Sequence, residues 1–111
     1  MEMVRIAGKA DIPEGQMKGY SLGNKQILVA NVGGNYYAVD AICTHMRGYL
    51  PSGKLQGNIV ICPVHGAQYD VTTGKVHKNV GFMFKMTTRS EAEDLKKYDL
   101  VVEGDDIKIL A

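Results

Sequence analysis

The stretch "CTHMRGYLPSGKLQGNIVICPVHG", residues 43–66, gathers both cysteines of the chain and two of its three histidines. They fall as C-x-H, sixteen intervening residues, then C-x-x-H, and so name Cys43, His45, Cys62 and His65. Thiolate and imidazole are the side chains that bind borderline and soft metals, and each half of the motif supplies one of each. On an extended strand Cys43 and His45, two apart, would share a face. Cys62 and His65 converge only if their loop curls, which Pro63 and Gly66 favour. Two such loops, set side by side by hairpins, would make a four-ligand pocket between their tips. Other readings use the same residues: two buried small hydrophobes, a tetrahedral zinc ion, or a catalytic Cys–His pair. C-x-H is not a usual zinc half-site. A catalytic pair would leave the second Cys and His without a role.

Outward from this stretch the chain reads as short strands between turns. "MVRIAG" (3–8), "MKGYSL" (17–22), "KQILVANV" (25–32) and "YYAVDAI" (36–42) precede it. Gly23-Asn24 is a two-residue hairpin signal, and "GGN" (33–35) marks the next turn. Within it, "KLQG" and "NIVI" flank Gly57-Asn58. After it come "AQYDV" (67–71), the turn "TTG" (72–74) and "KVHKNV" (75–80). "YDLVVEGDDIKIL" (98–110) is two strands around Gly104-Asp105. Only "SEAEDLKK" (90–97) has a helical signature, with Ser90 and Glu93 matching a capping box and charges that suit the helix dipole. The expected class is all-β, built from small antiparallel sheets or a partly closed barrel.

A chain of 111 residues is expected to be one domain, 1–111. The net charge of +1 gives no electrostatic reason for nucleic-acid or membrane binding. No apolar run approaches the roughly 18 residues of a membrane helix. "MEMVRIAGKAD" has no apolar core of signal-peptide length, so a cytoplasmic address is expected and a disulfide between the two cysteines is disfavoured.

The ligand motif resembles that of the Rieske iron–sulfur family. "CTH" (43–45), Leu50 at its place after it, "CPVHG" (62–66) and "YDVTTGKV" (69–76) carry the resemblance. Weaker matches, "IPEGQ", "GGNYYAVDAICTH" and "YDLVVEGDDIKI", extend it over nearly the whole chain. The resemblance implies a Rieske-like fold whose cluster-binding subdomain, about 43–80, is formed by two hairpin loops. It implies one Rieske-type 2Fe-2S cluster per chain, with Cys43 and Cys62 on one iron and His45 and His65 on the other. Tyr69, Leu50 and Gly66 would stand behind these ligands. Two thiolates cancel the two positive charges of the oxidised iron–sulfide core, and neutral histidines add none. An electron therefore enters at lower Coulomb cost than in an all-cysteine site.

Three departures from the high-potential members of the family bear on the potential. Gly48 and Val64 stand where those proteins carry a disulfide, and Ala67 stands where they have a serine that donates to a cluster sulfur. The tyrosine that donates to a cysteine sulfur is kept, as Tyr69. Fewer donors leave more negative charge on sulfur, which places the expected potential in the lower part of about −150 to +300 mV. In "HKNVGF" (77–82) the family's usual Gly-Pro is missing, and His77 lies outside the motif.

Four protein ligands leave no open position for a substrate, so the expected role is one-electron transfer and not catalysis. The resemblance implies a soluble, monomeric ferredoxin between a flavoprotein or other reductase and a terminal oxygenase or similar redox enzyme. An oxygenase catalytic subunit is excluded on length. The alternatives are a small Rieske subunit of a larger reductase and a zinc-stabilised binding module.

Overall fold

A computed structural model of the chain describes residues 3–44, 48–64, 66–78 and 93–110. In chain order the strands are β1 (Met3–Gly8), β2 (Met17–Leu22), β3 (Lys25–Val32), β4 (Asn35–Asp40), β5 (Lys54–Gln56), β6 (Ile59–Ile61), β7 (Gln68–Asp70), β8 (Val76–Lys78), β9 (Lys97–Tyr98), β10 (Leu100–Glu103) and β11 (Asp106–Leu110). They form three antiparallel sheets with orders β1-β11-β10, β2-β3-β4-β9 and β5-β6-β7-β8. Among the described residues the only helical turns are short 3-10 segments at Lys9–Asp11 and Leu50–Ser52. The expected all-β class of small antiparallel sheets holds.

The middle sheet organises the molecule because both of its faces are covered. Along β3, Leu28 and Ala30 enter a core shared with Val39, Ala41, Cys43 and Cys62. Ile27 and Val29, one residue out of phase, enter a second core with Ala38, Ile107 and Ile109. The side-chain period of two sends neighbours to opposite faces, so the unbroken apolar run Ile27–Ala30 is what a doubly covered strand requires. The second core joins the chain ends, since β1 pairs with β11 from Met3↔Leu110 to Gly8↔Asp106. The first core carries the loops of Cys43 and Cys62.

The expected helix over 90–97 is not formed where it is described. Residues 93–96 are irregular and Lys97–Tyr98 pairs with β4 as β9; residues 90–92 lie outside the described part. Main-chain demand explains the outcome. The Lys96 carbonyl accepts from Asp40 N–H at 2.9 Å, and Leu95 N–H donates to the Gly74 carbonyl. Asp94 Oδ1 accepts from Val76 N–H at 2.8 Å. These long-range bonds, with the burial of Leu95 at 4% exposure, outweigh the propensity of two helical turns, too few for a stable isolated helix.

Candidate metal centre

Two loops of matching construction close the first core. Cys43 N–H donates to the Gly48 carbonyl at 2.8 Å, and Cys62 N–H donates to the Ala67 carbonyl at 2.8 Å. Each cysteine therefore opens a loop that its own amide closes five residues on. Each loop encloses one expected histidine ligand. His45 and His65 themselves lie outside the described residues, as do Met46, Arg47 and residues 79–92. Among the described residues no group of three or more His, Cys, Asp or Glu gathers about a metal position.

The loops differ in how they reach closure. Leu50 N–H donates to the Ala41 carbonyl at 2.8 Å, and Ile42 bridges Tyr49, which continues the line of β4 up to Cys43. Thr44 already lies in a turn, not on the extended strand that the C-x-H spacing suggests. In the second loop Pro63 and Val64 form a turn. Gly66 takes φ of 78°, the left-handed conformation that returns the chain to β7, and donates to the Cys62 carbonyl at 3.1 Å.

Both thiols are buried, Cys43 at 1% and Cys62 at 3% exposure, and neither is in a disulfide. Leu50, Ala67 and Tyr69 are fully buried in the same core. At Gly48 the loops come close. A Cβ there would lie 2.7 Å from Cys62 Sγ and 2.6 Å from Val64 Cγ2, so only glycine fits without a shift. Gly48 and Val64, the two positions where the resemblance implied the loss of a disulfide, thus face each other across the loops.

The Tyr69 hydroxyl lies 3.1 Å from Cys43 Sγ and 2.9 Å from Thr44 Oγ1. Burial pushes the Tyr69 phenol above its ordinary pKa, and the bond to Cys43 adds to that shift. The phenol therefore keeps its proton at neutral pH and donates it once Cys43 is a thiolate. Thr44 Oγ1 also accepts from Glu93 N–H at 2.8 Å and lies 2.8 Å from the Glu93 carbonyl. Tyr69, Leu50 and Gly66 are expected from the sequence; Thr44 and Glu93 are not. The available signal was a hydroxyl residue locked between two ligand positions; its partner, 49 residues away, had none.

Two buried thiols that open mirror-like loops, with a phenol aimed at one sulfur, suit a group needing soft sulfur donors on one side. The profile of the Rieske [2Fe-2S] domain matches residues 2–83. The chain belongs to the Rieske [2Fe-2S] domain family. A naphthalene 1,2-dioxygenase/salicylate 5-hydroxylase system ferredoxin component from Ralstonia sp is 42% identical over 65 residues, 59% of this chain and 62% of that protein. The alignment thus spans under two thirds of that relative. A biphenyl 2,3-dioxygenase ferredoxin component from Rhodococcus jostii is 29% identical over 109 residues, 98% of this Rieske chain and 92% of the relative. The fold is shared with the ferredoxin of carbazole 1,9a-dioxygenase from Nocardioides aromaticivorans, at a TM-score of 0.83 and 23% identity over 98% and 97% of the two chains. The cofactor of this Rieske domain is accordingly a Rieske-type 2Fe-2S cluster, and the buried sulfur pair fits it.

Proposed function

We propose that this chain is a soluble, monomeric and cytoplasmic one-electron carrier, made of one Rieske domain over residues 1–111 with its cluster-binding part at about 43–80. Cys43 and Cys62 would hold one iron, and His45 and His65 the other. The partners inferred are a flavoprotein or other reductase on the donor side and a terminal oxygenase on the acceptor side. The names of the relatives, ferredoxin components of dioxygenase systems, support that pairing. Among the described residues no helix is long and apolar enough to cross a membrane.

The observation that carries this reading is the pair of buried, non-disulfide thiols in matching loops, with Tyr69 3.1 Å from one of them. Bound there, a Rieske [2Fe-2S] cluster accepts and releases one electron at a time. Tyr69 lowers the negative charge on the Cys43 sulfur by donating to it. Leu50 and Ala67, fully buried beside both cysteines, keep water from the sulfur side. Sulfur ligands held in a rigid apolar core change little between oxidation states, which keeps the reorganisation cost of transfer low.

The test is electron passage. The purified, coloured protein is reduced by an NADH-linked flavoprotein reductase of an aromatic-dioxygenase system and mixed with the matching terminal oxygenase. Bleaching by the first and recovery of colour with the second are expected. A colourless protein, or one that the reductase cannot bleach although dithionite does, would refute the assignment.

A further inference from the structure

Taking the cluster reading above as its basis, we propose that Thr44 is a positioning residue. It sets the hydrogen bond from Tyr69 to the Cys43 sulfur, and so ties the reduction potential to the main chain at Glu93. The available hydrogens limit how these contacts can run. Glu93 N–H lies 2.8 Å from Thr44 Oγ1, and an amide can only donate. A thiolate is a stronger acceptor than a neutral hydroxyl, so the single Tyr69 proton goes to Cys43 Sγ at 3.1 Å. The 2.9 Å contact between the Tyr69 and Thr44 oxygens then holds a hydrogen only if Thr44 supplies it. Thr44 has one proton for two acceptors, the Glu93 carbonyl at 2.8 Å and the Tyr69 oxygen at 2.9 Å; in the proposed arrangement it goes to Tyr69, and donation runs from Glu93 N–H to Thr44, from Thr44 to Tyr69, and from Tyr69 to Cys43. Each donation polarises the next hydroxyl and strengthens the bond that follows.

The Glu93 carbonyl, 2.8 Å from Thr44 Oγ1, is the competing acceptor for the Thr44 proton. When that proton turns to Glu93, Tyr69 loses the Thr44 hydroxyl as a donor and gives less to sulfur. Glu93 is held for this role by its neighbours: Asp94 accepts from Val76 N–H, and Leu95 donates to Gly74. The segment that begins at Glu93 thereby joins the third sheet to the loop of Cys43.

Voltammetry on the cluster-loaded proteins tests the proposal through four variants. Thr44→Val should lower the potential, by less than Tyr69→Phe does. Thr44→Ser should restore it. In the Tyr69→Phe background, Thr44→Val should lower it no further. Hydrogen exchange of the Glu93 amide should quicken in Thr44→Val and return to the wild-type rate in Thr44→Ser; Thr44→Ala replaces valine if its added methyl prevents loading. A Thr44→Val potential equal to or above the wild type would overturn the proposal, as would an equal drop with Tyr69 absent or an unchanged Glu93 exchange rate. Failure of the underlying reading looks different: the wild-type protein would itself hold no iron–sulfur chromophore.

Discussion

The Tyr69 hydroxyl stands 3.1 Å from Cys43 Sγ and joins β7 of the third sheet to the residue at which β4 of the middle sheet gives way to a ligand loop. Tyr69 is fully buried, so packing also holds its ring. Tyr69→Phe keeps the ring and removes the donor. Reduction adds negative charge that the donor stabilises, so its loss lowers the potential. A hydrogen bond about 1 kcal/mol stronger in the reduced state corresponds to a drop of ~40 mV for one electron. Voltammetry measures this; a potential at or above the wild type contradicts it.

Gly48 keeps the ligand loops at their present separation. An added Cβ would meet Val64 Cγ2 at 2.6 Å and Cys62 Sγ at 2.7 Å. Val64 is 46% exposed and can turn away, whereas Cys62 is buried and its sulfur must move. Gly48→Ala is expected to lower iron and sulfide content per chain, and Gly48→Ala/Val64→Ala to recover part of it. Full occupancy in the single variant would show that the loops tolerate a wider gap.

The two cores predict separable effects. Leu50 shares its core with Cys43 and Cys62, while Ile109 lies in the core that joins the chain ends. Truncating either to Ala costs about 2–5 kcal/mol of stability. Only Leu50→Ala should alter the visible spectrum and the potential. Equal spectral change in Ile109→Ala would mean that the cores are not independent.

Acid should act through Asp70. Burial pushes its carboxyl up, but hydrogen bonds from Thr72 and Asn58 and the charge of nearby His77 outweigh that and hold it below the usual carboxylate range. Thr72 alone supplies an amide at 2.9 Å and a hydroxyl at 2.6 Å, which pin the turn after β7. A depressed folded pKa stabilises the protein above the unfolded value near 3.9, and that stability is lost as pH falls through the folded value. Melting temperatures followed downward from about pH 5 should therefore fall more steeply in the wild type than in Asp70→Asn. Parallel curves would remove Asp70 from the account.

Much of this was legible in the sequence, for local reasons. The bounds of β1, β2 and β3 follow from apolar runs ended by Gly and Asn, and Gly23-Asn24 and Gly57-Asn58 form the turns their residue types demand. The two cysteines, with Tyr69 and Leu50, stand together in one core. What stayed hidden depends on distant partners. β9 was hidden by the helical charge pattern of "EDLKK", which two long-range main-chain bonds and the pairing with β4 override. The β1–β11 pairing joins residues from opposite ends of the chain, as in Met3↔Leu110. The role of Thr44 needs Glu93, which nothing nearby in the chain announces.

In the function proposed above, Cys43, Cys62, His45 and His65 together hold a mixed-ligand diiron cluster. Pulsed electron paramagnetic resonance of the dithionite-reduced protein tests it most directly, with wild type compared to His45→Ala and His65→Ala. The account predicts strong coupling to two imidazole nitrogens in the wild type and loss of that Rieske signal in each variant. A signal without nitrogen coupling, or one that survives either substitution, would contradict it.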